Sequence, residues 1–161
     1  MERYLLRAGL LRANPLARRV LGHAPAVLAI AGVSVLGTHQ LAVRGRTSGR
    51  TRIVVVNVLR HRGRRYLVSP RGTTQWVRNL RTAGSAELRL GNRTEPFRAV
   101  EVPLAERPPL LRAYLRQWRL DGSTALEGVG AGAPDAELLR IAPAYPVFLI
   151  EPTGAVTTSS S

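Results

Sequence analysis

Cysteine is absent from this 161-residue sequence, which excludes disulfides, zinc thiolates and thiol nucleophiles. Lysine is absent as well. All 24 basic side chains are arginine, against only 10 acidic ones, and the formal net charge is +14. Such uniform use of arginine reflects a bias on the whole chain, so the arginine count alone argues little about function. The sign of the charge argues more. A surface this positive attracts anions, whether a phosphorylated or polycarboxylate cofactor, nucleic acid or an anionic membrane. Aromatic residues are few, eight in all. They are not interleaved with arginines as stacking platforms for single strands require, so no nucleic-acid partner is expected. The histidines His23, His39 and His61 stand apart without ligand spacing, and no metal site is expected. The most apolar stretch, residues 24–37, falls short of the roughly 20 residues of a membrane span, and it contains Pro25, Gly32 and Ser34. Arg7, Arg12, Arg18 and Arg19 interrupt what would be a signal-peptide core. A cytoplasmic chain is the expectation.

A nucleophile–base constellation is also lacking. Ser48 and Ser69 have no histidine or carboxylate partner of a known pattern, and Glu101, Glu106, Asp121, Glu127, Asp135 and Glu137 read as solvated or capping residues. Arginines, hydroxyls, a tryptophan and apolar walls offer little acid–base machinery. They suit an enzyme whose cofactor carries the reaction while the protein binds and orients it.

What is present is enough apolar content, 45%, for one domain with a real core. Residues 1–22 read as an amphipathic helix, broken near Pro15, that packs on its own domain, on a second subunit, or on an anionic membrane face. Residues 23–152 form the main domain, and 153–161, small and polar, are expected to be disordered. Within the domain, the second half of 27–43 and then 52–60 read as strands. His61-Arg62-Gly63-Arg64 is a turn, and residues 65–69 return to make a hairpin. Residues 73–81 form a short helix capped by a threonine, with Gly84 past its end. Residues 86–90 and 95–102 pair around Gly91-Asn92. Pro108-Pro109 opens a helix with Leu111, Tyr114, Leu115 and Trp118 on one face, a second short helix covers 135–141, and 147–150 is the last strand. Tyr145 reads as a packing residue. The fold class is therefore mainly β (α+β): a small barrel of about six antiparallel strands with short helices.

The most informative segment is Gly45-Arg46-Thr47-Ser48-Gly49-Arg50-Thr51-Arg52, a glycine-flanked turn running into Ile53-Val54-Val55-Val56. Glycines let backbone N–H groups approach a ligand, a run of such groups makes an anion-binding concavity, and guanidinium forks suit phosphate and carboxylate. It reads as a phosphate cradle or as a solvated basic turn. Farther on, Arg71 and Gly72 of Ser69-Pro70-Arg71-Gly72 could meet an anion. Trp76 and Asn79 share a helical face, on which Trp76 either walls a flat ring or belongs to the core.

Taken in order, these two segments and the closing Tyr145-Pro146-Val147-Phe148-Leu149-Ile150-Glu151-Pro152 resemble the deazaflavin-dependent nitroreductase family of actinobacteria over residues 36–152. The resemblance implies a split β-barrel that binds coenzyme F-420, with flavin mononucleotide the less favoured cofactor. It implies hydride transfer from the reduced deazaflavin to a nitro, quinone or other unsaturated acceptor. Carried onto this chain, Arg46, Thr47, Ser48, Gly49 and Arg52 would hold the cofactor's anionic part. Ser69, Arg71 and Gly72 would line its ring or phosphate, and Trp76 and Asn79 its ring pocket. Thr47 stands where the family has lysine, with Arg50 near enough to compensate, and Val55 stands where a proline is common. Tyr114 is the nearest match to a substrate-side tyrosine, and the catalytic residues are otherwise unknown. The alternative is a non-catalytic protein that binds or sequesters a deazaflavin or flavin. The expected partners are the anionic cofactor and a small-molecule acceptor. A homodimer is left open, as is peripheral contact with the cytoplasmic membrane face through the N-terminal helix.

Overall fold

The computed structural model describes residues 38–118 and 126–158. The amphipathic helix expected over 1–22 lies outside them. Seven strands and three helices follow in order: β1 Thr38–Arg44, β2 Thr51–His61, β3 Arg64–Val68, α1 Gln75–Ala83, β4 Ser85–Leu90, β5 Arg93–Glu101, α2 Arg107–Gln117, α3 Asp135–Ile141, β6 Val147–Pro152 and β7 Thr157–Thr158. The strands neighbour one another in the order β4-β1-β2-β3-β6-β5, and β4 pairs with β5. Every ladder is antiparallel, so six strands close into a barrel with no free edge among them. This is the expected split β-barrel. The tail expected to lack structure contributes β7, which pairs with Arg93 and Thr94 of β5.

Side-chain alternation divides the apolar residues between two cores. Leu41, Val43, Val56, Val58, Leu67, Leu88, Phe97, Phe148 and Ile150 fill the barrel, and Val77 and Leu80 of α1 join them. Their neighbours on the opposite faces, Leu59, Tyr66, Val68 and Val147, form a second core with Leu110, Leu111, Tyr114 and Leu115 of α2 and with Leu138 and Ile141 of α3. The barrel is thus filled inside and covered by α2 and α3 on its β2–β3–β6 side. At the β2 end beyond that cover, Ile53 and Val55 are left 52% and 44% exposed.

Local chemistry explains the boundaries. Gly84 ends α1 with φ of 69°, and its N–H donates to the Leu80 carbonyl at 2.8 Å. Thr74 stands at the N-terminal cap of α1, but its side chain makes no capping bond. The Arg62-Gly63 turn has φ of 50° and 74°, the paired positive values of a type I′ hairpin. Arg107 is buried at the start of α2. Its guanidinium donates to the carbonyls of Val102 (2.8 Å), Ala142 (2.9 Å) and Tyr145 (3.4 Å) and to Glu101 (3.1 Å), which ties β5, α2 and the approach to β6 together. Glu101 also receives Arg81 at 2.7 Å, so it is a structural ion-pair residue rather than a solvated one. Asp135 is similarly bonded to Arg112.

Candidate functional site

The Gly45–Arg50 turn joins β1 to β2 and is closed by its own backbone. Gly45 N–H donates to the Arg50 carbonyl at 2.8 Å, and Gly49 N–H donates to the Gly45 carbonyl at 2.9 Å. Gly49 takes φ of 68°, where a residue with a Cβ would be strained. Arg50 N–H donates to Ser48 Oγ at 3.3 Å, and Arg46 N–H donates to Asn79 Oδ1 at 3.2 Å. Four of the turn's amides are therefore committed within the protein, and only those of Thr47 and Ser48 lack a protein acceptor. This corrects the picture of a backbone concavity. The donors that this turn offers an anion are mainly guanidinium and hydroxyl groups.

Helix α1 fixes the turn in place. One terminal nitrogen of Arg46 donates to Gln75 Oε1 and to Asn79 Oδ1, each at 2.9 Å. Buried Asn79 thus accepts from both the backbone and the side chain of Arg46. Between the turn, β2 and α1 lies an outer cavity of about 490 Å³, lined by Arg46, Thr47, Ser48, Arg52, Ile53, Val54, Gln75, Trp76 and Asn79.

A second, inner cavity of about 250 Å³ continues along β2 on the other side of Trp76. It is lined by Val55, Val56, Asn57, Val68, Ser69, Pro70, Arg71, Thr74, Trp76 and Tyr114. Trp76 is the shared wall of the two cavities. Its ring packs against Phe148 with centroids 6.1 Å apart at 57°, so it belongs at once to the barrel core and to the cleft. Buried Ser69 donates to the Gly72 carbonyl at 2.6 Å, which closes the turn into α1 and spends its hydroxyl proton there. Gly72 and Gly49 line neither cavity. Gly72 is a turn residue with φ of 74°, and a Cβ there would come within 3.3 Å of the Ala144 carbonyl oxygen. Tyr114 enters from α2, stacked on Trp118 at 4.5 Å.

Two lining residues escaped the sequence reading. Thr74 Oγ1 is buried and has no hydrogen-bond partner within the protein. Asn57 accepts from Thr38 Oγ1 at 3.2 Å, and its own amide N–H groups meet no acceptor among the described residues. Their role depends on α1 and β1 meeting across the barrel end, which no local motif announces. A threonine just before a helix reads as a cap in sequence, and only its missing capping bond marks it out.

The arginines of the described residues divide into ion-paired ones and ones without a carboxylate partner, and those that line the cleft are of the second kind. Arg65, Arg81, Arg89, Arg98, Arg107 and Arg112 are each ion-paired with a carboxylate. Arg46, Arg52 and Arg71, which line the cleft, have none among the described residues, and no described Asp, Glu or His lines either cavity. Among the described residues no group of three or more His, Asp or Glu could hold a metal ion, and no helix is long and apolar enough to cross a membrane.

Over residues 16–121 the sequence matches the protein family described as F420H(2)-dependent quinone reductase. No curated relative matches it. Among solved structures, it is similar to the protein Atu2129 from Agrobacterium tumefaciens (18% identity, 91% of this chain and 58% of that one, TM-score 0.52). It is also similar to the heme storage protein HutZ from Vibrio cholerae (12% identity, 76% and 85%, TM-score 0.51). A structure described as a domain-swapped dimer matches at 16% identity over 86% and 100% of the two chains, with a TM-score of 0.51. At these identities the likeness is one of fold.

Proposed function

The chain belongs to the F420H(2)-dependent quinone reductase family and is an oxidoreductase of coenzyme F-420; from that premise we propose that the cleft on either side of Trp76 is where it binds cofactor and acceptor. The observation that carries this reading is a cleft lined by Arg46, Arg52 and Arg71 beside Trp76, with no acidic residue in its described lining.

The donor set fits the cofactor. Arg46, Arg52, Thr47 and Ser48 hold its phosphate and polyglutamate, since guanidinium and hydroxyl groups are the donors such oxygens take. Gly49 serves by shaping the turn. Trp76, with the unpartnered Thr74 hydroxyl, the Asn57 amide and Arg71, would hold the ring in the inner cavity. Ser69, Gly72 and Asn79 act as positioning residues, the first two through the Ser69–Gly72 turn and Asn79 through Arg46. When bound and reduced, the cofactor supplies a hydride. The acceptor, a quinone, nitro compound or other unsaturated molecule, sits on the Val55 and Tyr114 side. Exposed Val55 and Ile53 offer it an apolar shelf that water leaves favourably. The proton that completes reduction comes from a hydroxyl or water, since no carboxyl or imidazole of the described residues lines the cleft.

The test is reduction of a quinone and a nitroaromatic by the full chain with reduced F-420, in the parent and in Val55→Trp. The expected result is turnover in the parent, with kcat/KM for the acceptor lowered about tenfold in the variant, whose added indole narrows the cavity that would hold ring and acceptor. No turnover with any unsaturated acceptor, or acceptor kinetics untouched by Val55→Trp, would overturn the assignment. Fold likeness to a heme storage protein does not argue for a sequestering role, because fold alone does not carry function. A homodimer belongs to the same proposal. Light scattering that finds only monomer at every concentration would remove it.

A further inference from the structure

A third cavity, of about 420 Å³, lies under the N-terminal end of α2 and shares no lining residue with the cleft. Its floor is a cross-strand row on the outer faces of three adjacent strands. Tyr66 of β3 stands opposite Leu149 of β6, which stands opposite Val100 of β5. Val102, Pro103, Pro109 and Leu110 supply the apolar wall. Val100 is 37% exposed on a face that α2 otherwise covers.

The β2–β3 turn brings His61, Arg62 and Arg64 to the mouth of this cavity. Among the described residues their side chains have neither hydrogen bond nor ion pair, whereas the adjacent Arg65 is bonded to Glu95. On the opposite wall Glu101 is held by Arg81 and Arg107, which leaves Glu106 as the one unpaired carboxylate of the lining. Arg62 also sits at φ of 50°, in a turn position where Asn, Asp or Gly would be unstrained. The hairpin keeps an arginine at a place that its backbone disfavours.

We propose that this cavity is a second ligand site, for a soluble amphiphile whose carboxylate or phosphate head meets His61, Arg62 and Arg64 while its apolar body lies along Tyr66, Leu149 and Val100. The volume falls within the range of small-molecule sites, roughly 300–1,000 Å³, and an apolar lining with a few convergent polar groups is their usual composition. Guanidinium forks bind carboxylate and phosphate alike. The two head groups are therefore one chemistry here.

The experiment is calorimetric titration of the full chain with dodecanoate and with dodecyl phosphate, each as dispersed monomers, beside acetate and dodecylamine. Arg62→Asn with Arg64→Gln removes the charges and relieves the turn, so folding is retained and the melting temperature holds. Val100→Trp fills the cavity from an exposed position. The expected result is saturable one-site binding of both long-chain anions, at least tenfold weaker in either variant and unchanged in Arg52→Ala, whose lesion lies in the other cleft. Equal binding of dodecylamine, unchanged affinity in either cavity variant, loss in Arg52→Ala, or no saturable binding would each overturn the proposal.

Discussion

Asn79 shows how a residue can matter to a ligand that it does not touch. It is buried, and it accepts from the backbone and the guanidinium of Arg46. Asn79→Ala leaves both donors without that acceptor and is expected to cost about 1–2 kcal/mol, read as a lower melting temperature, together with weaker F-420 binding. Asn79→Asp keeps the acceptors but places a negative charge beside the anion site. It is expected to preserve stability while weakening the cofactor, and equal cofactor affinity in all three proteins would contradict the clamp. At this scale the sequence was legible where chemistry is local. Arg46, Arg52, Ser69 and Trp76 were named from motif and Tyr114 from its helix face, and all line the cleft. It was not legible where an atom's availability depends on turn closure. The amides of Gly45 and Gly49 are spent on the loop itself, and Asn57 and Thr74 gain their position from strands and helices brought together by folding.

At the level of elements, α2 is the structural link between the barrel and its outer core, and Arg107 is its anchor. Burial pushes the Arg107 guanidinium below its ordinary value, Glu101 opposes that shift, and the group stays charged among three carbonyls and a carboxylate. Arg107→Met is expected to destabilise the fold by about 3 kcal/mol, because the carbonyls and Glu101 lose their donor inside the protein. A denaturant midpoint within error of the parent would contradict this. Strand and helix positions were largely readable in sequence, since apolar alternation, Pro108-Pro109 and Gly84 mark them. β7 was not, because Thr157 and Thr158 carry no apolar pattern and their pairing with Arg93 and Thr94 rests on backbone bonds. Glu101 was misread for a related reason. Its partners Arg81 and Arg107 come from different helices, and no spacing rule joins them.

For the whole molecule, the paired carboxylates set the response to acid. A hydrogen bond from Arg65 holds Glu95 below its ordinary value of 4.5, and hydrogen bonding from Arg81, with Arg107 beside it, does the same for Glu101. A carboxyl whose folded value is depressed contributes stability that is complete above the unfolded value and fades as pH falls through the folded one. The melting temperature is therefore expected to hold down to about pH 5 and to drop below it, with a smaller drop in Glu95→Gln. The same acid profile in both proteins would remove Glu95 from the explanation. The cleft lining carries arginines and no described carboxylate, and that is where the central claim is tested. The most direct measurement is titration of Trp118→Phe, in which Trp76 is the only tryptophan, with coenzyme F-420 followed by tryptophan fluorescence. Saturable quenching is predicted, with affinity about tenfold weaker when Arg52→Ala is added, equivalent to about 1.4 kcal/mol. No saturable quenching, or the same affinity with and without Arg52, would contradict the assignment of the cofactor to this cleft.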